Sequence, residues 1–227
     1  LVGGGSLFTI PVLILLGLPP TIAIGTNRLG VTGMDLSGWY KFHQKKLVNH
    51  KFGLILAVPA VIGSFIGANI VLAVNEALLK KVIAVLTMTI LIIIMTKPTI
   101  GLKRQVHELK KSRIIFGGVL SFVIGIYGGF YGAGAGTFLA YVLILVFGQT
   151  FLQSAGTRKM ANLALSAIAA IVFAFKGVIN YPLAIVLFVG GFIGCYLSSH
   201  YAEKIGNIWI KRLFAVIVAV MAVRLLL

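Results

Sequence analysis

Long apolar runs separated by short polar stretches organise this chain. Residues 52–74, 82–95, 114–131, 163–175, 182–197 and 213–227 contain almost no charged side chain. Several of these runs approach the ~20 residues that carry a helix across a bilayer. One apolar stretch, residues 6–16, is shorter: about 11 residues make roughly 16 Å of helix. That is well under the ~30 Å of a hydrocarbon core, so it is predicted to be a half-span or re-entrant arm.

The pattern occurs twice. "AIGTNRLG" begins at Ala23 and "SAGTRKMA" at Ser154, so Gly25-Thr26 and Gly156-Thr157 lie 131 positions apart (156 − 25 = 131). The same offset takes Gly3 and Gly5 to Gly134 and Gly136, Gly17 to Gly148, and Gly63 to Gly194. It also takes Lys45 to Lys176, Asn49 to Asn180 and Lys80 to Lys211. Apolar composition alone would match many Leu and Val positions, but it would not place these glycines, lysines and asparagines in one gapless register. The chain is therefore read as a tandem duplication, a common plan among secondary transporters.

Each unit reads as a Gly-broken helical hairpin followed by three transmembrane helices. In the second unit the hairpin is 114–131, the break "GAGAG" (132–136), then 137–147, followed by spans at about 158–175, 181–200 and 208–227. The first unit begins at its second arm, so its leading arm is expected to precede Leu1. The expected fold is an all-α polytopic membrane protein of two inverted-topology repeats. Its parts are a first repeat at 1–97, a basic cytoplasmic linker at 98–113 and a second repeat at 114–227.

Composition supports the membrane class. The 227 residues are 59% hydrophobic and 11% charged, against roughly a quarter charged in a soluble domain. Leu1 to Ser6 has neither the basic leader nor the cleavage pattern of a signal peptide. The single Cys195 sits in an apolar Gly-rich run and reads as a small packing residue. The net charge of +16 would suggest nucleic acid in a soluble protein. Here the bases fall mainly between apolar runs, with one cluster at Lys41, Lys45, Lys46 and Lys51. A second holds Lys97, Lys103, Arg104, Lys110, Lys111 and Arg113. That is the positive-inside pattern, with anionic headgroups as partners rather than nucleic acid.

A hairpin returns to the side it left, so three further spans invert the second unit. The loop after the first span carries those four lysines in unit one but only Lys176 in unit two. The turn before it is expected to reverse the bias, with Arg28 alone in unit one and Arg158 with Lys159 in unit two. Loops 41–51 and 97–113 are thus assigned to the cytoplasm and 176–180 to the outside; Lys80 and Lys81 fit this less well.

Enzymatic constellations are missing. The acids are Asp35, Glu76, Glu108 and Glu203, and His43, His50, His107 and His200 show no metal-site spacing. Neither "GGGS" nor "GAGAG" ends in the Gly-Lys-Ser/Thr of a phosphate loop. No cofactor and no catalytic residue is expected.

The polar residues at the broken helices remain. Gly25, Thr26, Asn27 and Arg28, with Gly156, Thr157, Arg158 and Lys159, are read as two helix starts, whose exposed N–H groups and partial positive charge attract anions. Asn162 shares a face with Arg158. Gly4, Gly5, Gly134, Gly136 and Tyr131 at the breaks complete the expected substrate-binding set. The alternative is that the threonines only cap and the bases reach for headgroups. Asp35, seven residues after Arg28, is an intramembrane acid: a charge partner for Arg28, a coupling group, or an interfacial residue. Tyr127 and Tyr131 bracket the second break, as cavity lining or as packing.

At these residues the chain resembles the TauE/SafE family of membrane permeases, also called the sulfite exporter family. The resemblance rests on "GGG" at Gly3 to Gly5 followed by Pro11, "GTN" at Gly25 to Asn27, "YGGFYGAGAG" from Tyr127, and "AGTRKMAN" ending at Asn162. It spans essentially the whole chain, apart from the leading arm of the first unit. It implies multi-pass residence in the cell's inner membrane and export or exchange of a small anion such as sulfite, thiosulfate or an organosulfonate. An anion channel using the same bases, and a non-transporting scaffold that binds a partner through linker 97–113, are the alternatives.

Overall fold

The computed structural model describes residues 5–96 and 111–200. Gly3, Gly4, most of the basic linker and the last expected span lie outside the described residues. Those described form eight helices and no strand: α1 (Gly5–Leu15), α2 (Pro20–Gln44), α3 (His50–Ala73), α4 (Glu76–Thr96), α5 (Lys111–Phe130), α6 (Ala135–Leu145), α7 (Phe151–Phe175) and α8 (Tyr181–His200). Four of them, α3, α5, α7 and α8, are long and apolar enough to cross a membrane. α2 matches α7 at 25 residues, but it carries Arg28 and Asp35 and turns them inward.

The short arms α1 and α6 have 11 residues each, about 16 Å of helix. Both end in a left-handed glycine, Gly17 at φ 94° and Gly148 at φ 67°. Between α5 and α6 the chain reverses through Gly132 (φ 72°) and Gly134 (φ 80°), conformations that favour a residue without Cβ.

The expected helix starts need correction. α2 begins at Pro20, whose fixed φ and missing N–H suit a first turn. α7 begins at Phe151 behind a capping box, in which Thr150 Oγ1 accepts from the Gln153 N–H and Gln153 Oε1 accepts from the Thr150 N–H. Each Gly-Thr pair therefore starts at the sixth residue of its helix, past the unpaired N–H groups. Arg28, Arg158 and Lys159 consequently lie buried inside helices, not in turns. They drop out of the loop-charge comparison and do not reach headgroups.

Two crossings hold the helices together. Along α3 and α5, Gly63 and Gly67 face Gly125 and Gly129 so closely that a Cβ on any of the four would overlap the opposite backbone. Small residues four apart let membrane helices approach in this way. Ser121 Oγ donates to the Leu56 carbonyl at 2.7 Å along the same seam. α2 lies along α8 through Gly30, Gly33 and Gly38, the last against Cys195 Sγ at 2.9 Å from where a Cβ would stand. Cys195 is thus a packing residue.

Candidate functional site

The two Gly-Thr pairs each receive a loop from the other repeat. Thr26 Oγ1 accepts from the backbone N–H of Asn180 at 2.9 Å, and Thr157 Oγ1 accepts from that of Asn49 at 3.0 Å. Both hydroxyls are buried. Gly25 lies against the Val178 carbonyl, and Gly156 against Phe42 and the Leu47 carbonyl. Asn49 and Asn180 then cap α3 and α8, accepting from Phe52 N–H at 3.1 Å and Leu183 N–H at 3.2 Å. The close backbone approach permitted by these glycines is thus used by the chain itself.

This exchange fixes the sense of the two central helices. Thr26 near the start of α2 meets the loop after the end of α7, while Thr157 near the start of α7 meets the loop after the end of α2. α2 and α7 therefore run antiparallel, side by side.

The residue after each Gly-Thr pair reaches a short arm. Asn27 Nδ2 donates to Ser6 Oγ at 3.0 Å, and its Oδ1 accepts from Thr9, joining α2 to α1. Its counterpart Arg158 (27 + 131) sets Nη1 2.6 Å from where a Cβ on Gly136 would stand, with Asn162 Oδ1 3.7 Å from the same point. Gly136 thus leaves room for both side chains at the start of α6. Gly5, the corresponding glycine on α1, lines a cavity of about 180 Å³ with Asn27 and Met34.

The next position crosses between repeats. Lys159 Nζ lies 2.7 Å from Asp35 Oδ1, both side chains buried, and Asn162 Nδ2 donates to Asp35 Oδ2. Asp35 is 1% exposed, so it is not an interfacial residue. Among the described residues its ion-pair partner is Lys159 and not Arg28. Seven residues along one helix separate Asp35 from Arg28 by about 10 Å of rise, whereas Lys159 arrives from the adjacent antiparallel helix.

Arg28 is the counterpart of Lys159 and has a different environment. It is 1% exposed, and its Nε and Nη2 have no hydrogen-bond partner in the protein. The guanidinium rests in the α5–α6 break, where a Cβ on Gly132 would overlap it. Tyr127 and Tyr131 stand beside the break with their rings 6.3 Å apart. Their hydroxyls are engaged, Tyr127 donating to the Ala133 carbonyl and Tyr131 bonding Thr87 on α4. Sequence reasoning missed Thr87 and Ser6, isolated hydroxyls within apolar runs. It also missed that Gly132 belongs to Arg28, a contact between positions 104 apart (132 − 28).

No group of three or more metal-binding side chains occurs among the described residues. The family described as "Sulfite exporter TauE/SafE" matches residues 1–225. A Haemophilus influenzae protein named "probable membrane transporter protein" is 26% identical, over 98% of this chain and 87% of its own. A Sinorhizobium protein named "probable membrane transporter protein ORF9" is 30% identical, over 99% and 85%. Escherichia coli K12 "probable membrane transporter protein YfcA" is 26% identical, over 99% and 82%. No solved structure matches the chain.

Proposed function

The chain belongs to the sulfite exporter TauE/SafE family, and from that premise we propose that it is a secondary transporter exporting a small anion. Sulfite, thiosulfate and organosulfonates are the substrate class. The carrying observation is Arg28, a fully buried guanidinium with two nitrogen atoms unbonded. A charge withdrawn from water without a partner is costly, and a bound oxyanion supplies both the countercharge and the acceptors.

The substrate lies between the antiparallel helices α2 and α7, against the α5–α6 break. Arg28 binds it directly, Tyr131, Gly134 and Gly136 shape the break, and Arg158 with Asn162 close the α6 side. Asp35 neutralises Lys159, so the site keeps a net positive charge without repelling its substrate. Gly25, Thr26, Gly156 and Thr157 hold the two helices in register, and Asn27 and Gly5 carry the first arm. No carboxylate relay is needed for export, because an inside-negative potential drives an anion outward by about 2.3 kcal/mol per charge per 100 mV.

The antiparallel run of α2 and α7 supports inverted repeats that alternate about one shared site. Loops 41–51 then face the cytoplasm and 176–180 the exterior of the inner membrane. Cysteines placed at Lys51 and Lys176 in a Cys195→Ser background are expected to label from opposite sides, and labelling from one side overturns the inversion. The function is tested by counterflow of sulfur-labelled thiosulfate, sulfite and sulfonates in proteoliposomes. Saturable, slow exchange is expected. Single-channel currents would replace the carrier by a channel, and no flux with any of these anions defeats the proposal.

A further inference from the structure

A cavity of about 180 Å³ opens beside Lys46, Asn49, Phe52, Phe147, Gln149 and Gln153, next to the loop that joins α2 to α3. It has more than the room one water needs. None of the proposed transport-site residues lines it, so it is a separate place. The N-terminal ends of α3 and α7 both border it, through Asn49 and Gln153. Gln149 lines the cavity while only 5% exposed, and its Oε1 is buried without a hydrogen-bond partner.

The duplication supplies the comparison. Shifted by 131, Lys46 becomes Gly177, Gln149 becomes Leu18, Gln153 becomes Ile22 and Phe52 becomes Leu183. At that opposite end Leu18 and Leu183, both partly buried, pack against the hydrophobic core. The positions that are amide, aromatic and basic around this cavity are thus leucine, isoleucine and glycine at the other end. Packing does not call for that difference. A buried amide oxygen without a donor is unfavourable, which points to a ligand that supplies one.

We infer that this cavity is a second binding site, for a small oxyanion that bears a hydroxyl. Lys46 supplies the countercharge, and the ligand's hydroxyl donates to Gln149 Oε1. The partial positive ends of α3 and α7 add to the attraction. Two sources share this chemistry: a dissolved hydrogen oxyanion, and an anionic lipid headgroup with a free hydroxyl. The site does not depend on the transport proposal.

The test uses the full chain in nanodiscs of neutral phosphatidylcholine, titrated with inorganic phosphate by equilibrium dialysis. The Lys46→Gly/Gln149→Leu variant carries the residues that the opposite end already accommodates. It is expected to bind phosphate at least tenfold more weakly than wild type. The same loss is expected between Arg28→Met and Arg28→Met/Lys46→Gly/Gln149→Leu, which removes any contribution from the transport site. Nanodiscs containing phosphatidylglycerol form the other arm, with lipid retained through purification counted by mass spectrometry. Retention by wild type and loss by the variant assigns the site to a headgroup. Gln149→Glu, close in size but acidic, serves in both arms if the double variant does not fold. Equal phosphate binding and equal lipid retention by wild type and a folded variant overturn the inference.

Discussion

The backbone N–H of Asn49 donates to Oγ1 of Thr157 at 3.0 Å, and this bond joins the loop of one repeat to the central helix of the other. The bond from Asn180 to Thr26 is its pseudo-symmetric return. The same contact is thus made in both directions between the two central helices and each other's loops. The hydroxyl oxygens therefore join the two helices to each other's loops, a use that the sequence did not suggest. Thr26→Val and Thr157→Val are each expected to lower stability by about 1 kcal/mol, since each removes the acceptor of a part-buried N–H. Thr→Ser at either position should recover most of it. Unfolding in detergent checks both, and a Val variant as stable as wild type would remove the bond from this account.

Asp35 and Lys159 join α2 to α7 at 2.7 Å with both side chains buried. Removing one partner strands the other's charge, so Asp35→Leu or Lys159→Met alone is expected to cost about 3 to 5 kcal/mol. The double variant removes both charges and should recover most of that loss. A double-mutant cycle on thermal unfolding measures the coupling. Additive losses would mean that the pair does not interact, and Asp35 would then return as a candidate coupling group.

Much of the fold was legible because the chain states its architecture twice. The 131-residue offset found the short arms and the Gly break, and the apolar run 182–197 led to the limits of α8. What an offset cannot show is which copy touches which. Position 28 pairs with 159 by register, yet Arg28 goes to Gly132 and Lys159 to Asp35. The helix starts were misplaced for a local reason. Polar residues at 25–28 and 156–159 looked like a boundary, but they are buried against the other repeat, while Pro20 and Thr150 do the starting.

Lys46 sits at φ 56°, the position that Gly177 occupies at φ 67° in the second copy. Both close a helix in the same way. The N–H of Lys46 donates to the His43 carbonyl and that of Leu47 to the Phe42 carbonyl, and Gly177 and Val178 repeat the pattern on Ala174 and Phe173. A left-handed residue with a Cβ costs about 1 to 2 kcal/mol, and glycine returns about 0.5 to 1 of that through the entropy of the unfolded chain. Lys46→Gly is thus expected to stabilise by about 0.5 to 1 kcal/mol, while Gly177→Ala destabilises by about 1. Melting curves of the two variants should move in opposite directions.

Gly63 and Gly194 are register partners with opposite surroundings. A Cβ on Gly63 would overlap the Phe122 carbonyl of α5, whereas at Gly194 nothing lies within 4 Å. Gly63→Val is expected to separate α3 from α5 and cost about 3 kcal/mol or more, as overpacking at a backbone contact does. Gly194→Ala should be neutral or gain up to about 1 kcal/mol of helix propensity. Folded yield and unfolding temperature distinguish the two, and a large loss at Gly194 would mean that this face of α8 is covered.

Arg28 separates a binding residue from a structural one by the sign of its effect. If the guanidinium were a packing element, shortening or neutralising it would destabilise the protein whether or not anion was present. If it is instead a buried charge that binds the anion, as proposed, it should weaken the empty protein and strengthen the loaded one. Arg28→Met removes the charge and leaves a shorter, apolar side chain. It is expected to raise the stability of the anion-free protein, by about 1 to 4 kcal/mol on the scale of buried charges replaced by apolar side chains. It should also abolish the stabilisation by anion that wild type shows, about 2.7 kcal/mol at a hundred times the dissociation constant. Arg28→Lys keeps the charge but loses the planar fork, so it should retain part of that stabilisation. Thermal unfolding with and without thiosulfate, in parallel with flux, reads all three proteins. An Arg28→Met protein that is less stable without anion, yet still stabilised by it, would move the binding site away from the α5–α6 break.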